Sequence, residues 1–333
     1  MPDDFPRHRH YFEITAPSYF ALGFSLGSMF YRTYRDAVNE ARSNPQWEKM
    51  MDLARPCLEA CARKFPIYRE EFDGVARGAG VSVEDLWTAI EFDLSETSKH
   101  RCTTLVTNKG MLIGHNEDWS FDAKDSICIL KKQLPHCTIL ELFYYPSCGG
   151  NALSVNSYGY IQAINSLYHT DTQTGLSGNI IARWLSETSS PEADCGQLLF
   201  LKRATGYSHT IVGSHGRLLN IECSAREYIV TSPAMPFVHT NHFLTQLRTM
   251  EGNDDESGSW SRFSKARLKL GPDMTVETLK CLMSDETLGR EKSIFNVRTI
   301  ARTIVDMREM TLYGWLLREK DLGWVRYPLD FIP

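Results

Sequence analysis

Residues 101–119 read Arg101-Cys102-Thr103-Thr104-Leu105-Val106-Thr107-Asn108-Lys109-Gly110-Met111-Leu112-Ile113-Gly114-His115-Asn116-Glu117-Asp118-Trp119. Two short apolar runs, 102–106 and 111–114, flank Asn108-Lys109-Gly110, a turn sequence. This spacing predicts a β-hairpin. The first strand opens on a cysteine, and the return strand runs into Asp118 and Trp119. The ends of a tight hairpin come together, so Cys102 and Asp118 are expected neighbours. Spacing alone describes a buried cysteine beside a turn aspartate, because free cysteines pack as small apolar residues. The hairpin also marks a change of texture near Ser98, from helical patterning to strand patterning.

Upstream, residues 11–15 read as a short strand. Leu22, Leu26, Met29 and Phe30 recur at helical spacing, which predicts a helix over 19–42. Gly23 and Gly27 lie one turn apart on it and would let another element approach closely. Asn44 and Pro45 predict a helix start, with Asn as N-cap and Pro in the first helical position. Pro56 and Pro66 are expected to bend or break the helical stretch beyond it. Ser82 heads a capping sequence before Leu86, Trp87, Ile90 and Leu94.

Downstream, strands are predicted over 126–130, 138–145, 152–156 and 160–165, the last two joined by Tyr158-Gly159. Helices are predicted over 179–187 and 191–203, then strands over 209–212, 218–222 and 228–231. Residues 251–261 read as a flexible loop. Hairpins broken by helix pairs indicate an α+β fold on antiparallel sheets.

The chain has 333 residues, with 36 basic and 41 acidic side chains and a net charge of −5. That excludes a broad electrostatic grip on nucleic acid. No apolar run is long enough to cross a bilayer. Met1-Pro2-Asp3-Asp4 has no apolar segment behind a basic start, so no secretory leader is expected. Nine scattered cysteines are an odd count and not a disulfide framework, which predicts a reducing compartment, the cytoplasm. Cys57 and Cys61 lack a matching second pair for zinc. The ten histidines show no metal-ligand spacing beyond His239 and His242, which read as a strand-end coincidence. Gly206-Tyr207-Ser208-His209-Thr210 is half of a nucleophile elbow, without its final glycine.

The Cys102-Thr103-Thr104 start and the Gly114–Trp119 segment resemble the acyl-coenzyme A:6-aminopenicillanic acid acyltransferase (isopenicillin N acyltransferase) family of N-terminal nucleophile hydrolases. Further matches lie in the same order along the chain. They are Tyr11-Phe12-Glu13-Ile14, Tyr19-Phe20 with Gly23 and Gly27, the stretch from Gly159 through Asn165 to Leu167, Thr240-Asn241-His242-Phe243, and 299–306 as a final strand. The resemblance spans nearly the whole chain.

This resemblance implies an αββα sandwich of two stacked antiparallel sheets between helical layers. It also implies self-cleavage just before the nucleophile, at Arg101–Cys102. Residues 1–101 would form a small helical subunit and 102–333 a strand-rich catalytic one, folded as one unit. Cleavage would free the Cys102 α-amine, whose reference pKa of about 7.7–8.0 suits a base for its own thiol. No Cys–His pairing is then needed. Cys102 would attack a small N-acyl amide or an acyl thioester and form an acyl-enzyme. Asn241 would offer its side-chain amide to the oxyanion. Asn165 would be a second polar group in the site or a cap on the hairpin end. Asp118 would hold the α-amine or thiol, and Thr104 would assist self-cleavage. Arg298 is placed to be a nearby cation, and Trp119 reads as core. Phe20, Tyr144 and Tyr168 are candidates for the acyl pocket. No cofactor or metal is implied.

Arg101 departs from the small or acidic residue expected before the nucleophile. The hairpin is slightly short, and no peroxisomal tripeptide ends the chain. These departures favour a general amide hydrolase or acyltransferase over the penicillin pathway. The alternatives are a bile-salt or penicillin V acylase type of hydrolase, and an uncleaved, non-catalytic descendant that acts by binding.

Overall fold

Strand β1 (Tyr11–Thr15) is followed by helices α1 (Tyr19–Met29), α2 (Tyr31–Arg42), α3 (Trp47–Lys64), α4 (Pro66–Ala79) and α5 (Val83–Ile90). The structure is a computed structural model and describes residues 6–91, 101–251 and 258–333. The hairpin β2 (Arg101–Thr107) and β3 (Leu112–Asp118) comes next. Then come β4 (Ile127–Gln133), β5 (Thr138–Tyr144), β6 (Leu153–Asn156) and β7 (Tyr160–Ser166). Helices α6 (Gly178–Leu185) and α7 (Pro191–Gln197) precede β8 (Tyr207–Gly213), β9 (Leu218–Cys223), β10 (Tyr228–Thr231) and β11 (Phe237–His239). The chain closes with α8 (Ser259–Lys269), α9 (Val276–Met283), β12 (Thr299–Asp306), β13 (Thr311–Leu316) and β14 (Val325–Pro328).

The strands form two sheets, ordered β1-β4-β5-β6-β7-β8-β9-β10 and β11-β2-β3-β12-β13-β14. Side-chain alternation sorts the core into layers. Ile127 and Ile129 of the large sheet meet Val106, Ile113 and Ile300 of the small one. Cys128, Leu130 and Phe143 point the other way, onto Leu22, Leu26 and Phe72 of the helices. Leu105, Leu112 and Ile304 on the small sheet's outer face pack on α8 and α9. The result is the four-layer αββα sandwich expected from the resemblance.

One sheet edge departs from the all-antiparallel expectation. β1 runs parallel to β4, with Tyr11 opposite Ile129. Five helices lie between them in sequence, and a parallel return needs a long crossover of that kind. The segment ahead of residue 101 therefore supplies a strand to the large sheet as well as helices.

Local corrections have local causes. The helix expected over 19–42 is broken at Phe30, whose ring stacks on Tyr145 at 4.1 Å. The helix expected from Pro45 starts at Trp47, because the Asn44 side chain accepts from the Gln46 N–H at 2.9 Å and holds a turn there. Pro56 lies inside α3, whereas Pro66 occupies the first turn of α4. The helix expected over 191–203 stops at Gln197. Leu94, Ser98 and residues 252–257 of the expected loop lie outside the described residues. Ser259 to Ser261, assigned to that loop by sequence, begin α8.

Gly23 and Gly27 do admit a close neighbour. A Cβ at Gly23 would sit 1.9 Å from the Glu71 carbonyl oxygen, and one at Gly27 2.2 Å from that of Val75. Both faces of the α1–α4 contact are glycine, since Gly74 and Gly78 meet α1 in the same way. Buried charges tie the helices to the large-sheet side. Arg183 of α6 pairs with Glu71 of α4 at 3.0 Å and with Glu187 at 2.7 Å. Tyr19 and Tyr68 both donate to Glu187. Burial opposes ionisation of Glu187, but Arg183 prevails and holds its carboxyl well below the usual range. Among the described residues no helix is long and apolar enough to cross a membrane. All nine cysteines are free; eight are buried and Cys281 is exposed.

Candidate active site

The β2–β3 hairpin turns at Asn108, Lys109 and Gly110, whose φ angles of 54°, 57° and 81° are all left-handed. That turn fixes the register. Cys102 pairs with Glu117, Thr104 with His115, and Arg101 with Asp118. Residues two apart share a face. Cys102, Thr104, His115 and Glu117 therefore face the large sheet, as Val106 and Ile113 do. Thr103, Asn116 and Asp118 face α8 and α9, as Leu105 and Leu112 do. Sequence reasoning placed Cys102 and Asp118 together. The hairpin does so, but it turns their side chains to opposite faces.

A buried chain of polar groups runs along the inner face. The Cys102 thiol donates to Glu117 Oε1 at 3.6 Å, and the Tyr144 hydroxyl donates to the same oxygen at 2.9 Å. Glu117 Oε2 lies 2.9 Å from His115 Nε2, and His115 Nδ1 lies 3.0 Å from Thr104 Oγ1. Thr104 donates to Asn165 Oδ1 at 2.8 Å. The Asn165 amide nitrogen is buried and has no partner among the described residues. Burial, then the Glu117 and Asp118 carboxylates, push the Cys102 thiol well above its ordinary pKa; Arg262 opposes them. Burial and then Glu117 push Tyr144 up in the same way.

The outer face carries a clamp centred on Arg262 of α8, which is fully buried. Its Nη1 donates to the Cys102 carbonyl at 2.7 Å and to Thr103 Oγ1 at 2.9 Å. Its Nη2 donates to Asn241 Oδ1 at 3.0 Å. The same Asn241 oxygen accepts the Cys102 main-chain N–H at 2.8 Å. Asp118 lies 3.8 Å from Arg262 and accepts from Asn296 at 2.7 Å and Thr299 at 2.6 Å. Burial raises the Asp118 pKa despite Arg262 and these hydrogen bonds.

All four site residues expected from sequence lie around the hairpin's open end. Asn241, however, presents its oxygen to Cys102, while its amide nitrogen donates to the Ser166 carbonyl at 3.0 Å. Arg262, and not Arg298, supplies the cation. Sequence reasoning missed Glu117, His115 and Arg262, and it named Tyr144 only as a candidate for the acyl pocket, not as a partner of Glu117. Counting outward from the turn would have found Glu117 and His115. Nothing in the sequence marks Arg262, which is 160 residues from Cys102.

Cys102, Glu117, Tyr144 and Trp119 line a cavity of about 730 Å³ between the hairpin and the helical layer. Ala37 and Glu40 of α2 and Ile90 of α5 contribute to its wall. Trp119, expected in the core, packs against the core between the sheets and also lines this cavity, its ring tilted against Tyr144 at 5.8 Å. Of the three acyl-pocket candidates, Tyr144 lines the cavity; Phe20 and Tyr168 do not. Cys102, His115 and Glu117 bring their donor atoms within 4.8 Å of one another, the distance range of a metal site. Those atoms already hydrogen-bond to each other and to Thr104 and Tyr144, which describes a proton network. His239 and His242 are turned to Glu222 and Ser259 respectively.

Residues 106–318 match the model of the family "Acyl-coenzyme A:6-aminopenicillanic acid acyl-transferase". The acyl-coenzyme A:6-aminopenicillanic-acid-acyltransferase 40 kDa form of Emericella nidulans is 25% identical over 250 residues, covering 72% of this chain and 70% of that protein. Among solved structures, penicillin V acylase from Agrobacterium tumefaciens covers 65% of this chain and 83% of its own, with 11% identity and a TM-score of 0.47. A mutant conjugated bile acid hydrolase from Clostridium perfringens covers 69% of this chain and 92% of its own, with 12% identity and a TM-score of 0.44. Those two likenesses are too slight to argue from. The family match covers more than half of the chain, and the chain belongs to the acyl-coenzyme A:6-aminopenicillanic acid acyl-transferase family.

Proposed function

We propose that the protein is a self-processing cysteine amidohydrolase or acyltransferase, cut between Arg101 and Cys102 into residues 1–101 and 102–333. One observation carries this reading: the Cys102 thiol lines the cavity while its main-chain N–H is held by Asn241 at 2.8 Å. Cleavage would turn that N–H into an α-amine in a prepared seat, close to its own sulfur. With a reference pKa of about 7.7–8.0, the amine can take the thiol proton at neutral pH.

The thiolate then attacks the carbonyl carbon of a small N-acyl amide or acyl thioester, and the amine or thiol departs with the returned proton. Water, or an acceptor amine, resolves the acyl-Cys102 intermediate. The unpartnered Asn165 amide nitrogen is the donor left for an oxyanion. Arg262, with Asp118 beside it, holds the Cys102 carbonyl from the other face. The family relationship supports acyl transfer, and a 730 Å³ cavity suits a small acyl substrate. We place the enzyme in a reducing compartment, the cytoplasm, where nine free cysteines stay reduced.

The test is the intact mass under denaturing conditions of the wild type beside Cys102→Ala. Two fragments in the wild type and one in the variant are expected. The cut protein should then turn over amides or thioesters, and Cys102→Ala should not. A wild type that stays in one piece and inert would instead make the chain an uncut binding protein.

A further inference from the structure

The base available after cleavage is not available before it. In the uncut chain the Cys102 nitrogen is a peptide nitrogen that donates to Asn241 and cannot accept a proton. The thiol is nevertheless buried between carboxylates, where it does not ionise by itself. Self-cleavage therefore needs another base at the sulfur.

The neighbours of the sulfur leave one choice. Asp118 turns its carboxylate to the outer face, onto Asn296, Thr299 and Arg262. His115 is directed at Glu117 and Thr104. Tyr144 donates to Glu117, and Arg262 is a cation. Glu117 Oε1 accepts from the thiol itself, at 3.6 Å. Resting on the self-processing reading above, we propose that Glu117, which also hydrogen-bonds to His115 and Tyr144, is the catalytic base of self-cleavage.

In that step the thiol proton passes to Glu117 Oε1 as sulfur bonds to the Arg101 carbonyl carbon. The tetrahedral adduct collapses by breaking the Arg101–Cys102 C–N bond, and the leaving nitrogen takes the proton back from Glu117. A thioester now joins the Arg101 carbonyl to the Cys102 sulfur. Water hydrolyses it, giving the Arg101 carboxyl group and the free thiol. Glu117 ends unchanged, one water is consumed, and no oxidant or metal enters. The free α-amine then takes over as base for turnover.

The test tracks cleavage of the full chain by denaturing mass spectrometry, in Glu117→Gln and Glu117→Ala. General-base removal slows such steps by about 10²–10⁴-fold. Cleavage in both variants should fall by that order, with the thermal unfolding midpoint retained in the near-isosteric Gln variant. Sodium formate should restore cleavage in Glu117→Ala, because the vacated side chain borders the cavity; sodium chloride of equal ionic strength should not. Cleavage of Glu117→Gln at the wild-type rate overturns the proposal and leaves self-processing intact. A folded, uncut Glu117→Ala that ignores formate also overturns it, making Glu117 a structural partner. If the wild type itself stays uncut, the self-processing reading fails, and this proposal falls with it.

Discussion

Glu117, and not Asp118, stands directly across the hairpin from Cys102, with Oε1 3.6 Å from the sulfur. Asp118 is opposite Arg101. A shift of one position in a strand exchanges faces. Two adjacent carboxylates thus have different surroundings, one beside the thiol and the other beside the guanidinium that holds the main chain.

Removing that guanidinium should destabilise the fold. Arg262→Met leaves the Asp118 carboxylate buried without its cation and takes the donors from the Cys102 carbonyl and Asn241. Breaking a buried pair in this way costs about 3–5 kcal/mol. Urea unfolding of Arg262→Met and of Arg262→Met/Asp118→Asn should show a large loss that the second change partly recovers. A single-variant loss below about 1 kcal/mol would mean that the clamp carries no weight.

The glycine contact gives a sharp contrast. Gly27→Ala drives a methyl group into the Val75 main chain, whereas a Cβ at Gly196 meets nothing within 4 Å. Overpacking of this kind costs about 1–3 kcal/mol or more. A helical Gly→Ala with open space instead gains up to about 1 kcal/mol. Thermal unfolding of the two variants should move in opposite directions; a shared direction would contradict the α1–α4 packing.

If the chain is cut, the fragments should stay together. Glu71 and Arg183, both fully buried, bridge the two pieces. Salt screens buried pairs weakly. Native mass measurement should therefore find one species at low and at high ionic strength, and the two fragments after denaturation. Separation by salt alone would show that surface charge, not the buried core, joins them.

Acid should weaken the fold through His209. Burial lowers its pKa from 6.5 to about 3, and neither ring nitrogen has a partner among the described residues. The folded state refuses a proton that the unfolded state accepts. The stability is therefore full above about pH 6.5 and is lost as pH falls toward about 3. The loss is about 1.4 kcal/mol per pH unit from this residue. Denaturation at several pH values should show a shallower acid slope for His209→Leu than for the wild type. An unchanged slope would place the acid sensitivity elsewhere.

Much of the fold was legible because it rests on local chemistry. Lys109 and Gly110 at the turn, Ser82 as an N-cap and the alternation in the strands each act within a few residues. What escaped was relational. Asn44 closes a turn on Gln46 before a helix can start, and β1 joins the large sheet across five helices. The site divides in the same way. Cys102, Asp118, Asn165 and Asn241 could be named from their motifs. The side each presents depends on strand register, and on Arg262 arriving from α8.

The cavity wall has a consequence for how this enzyme could change. Ala37, Glu40 and Ile90 come from ahead of Cys102, whereas the sulfur and its carboxylate come from the hairpin. On the proposed mechanism, part of the wall that meets the acyl group is thus inherited apart from the reacting atoms. On that mechanism, substitutions along α2 and α5 would retune the fit of the acyl group while the sulfur and Glu117 stay untouched. The helical piece is, in effect, one exchangeable wall of a mould whose other walls travel with the tool.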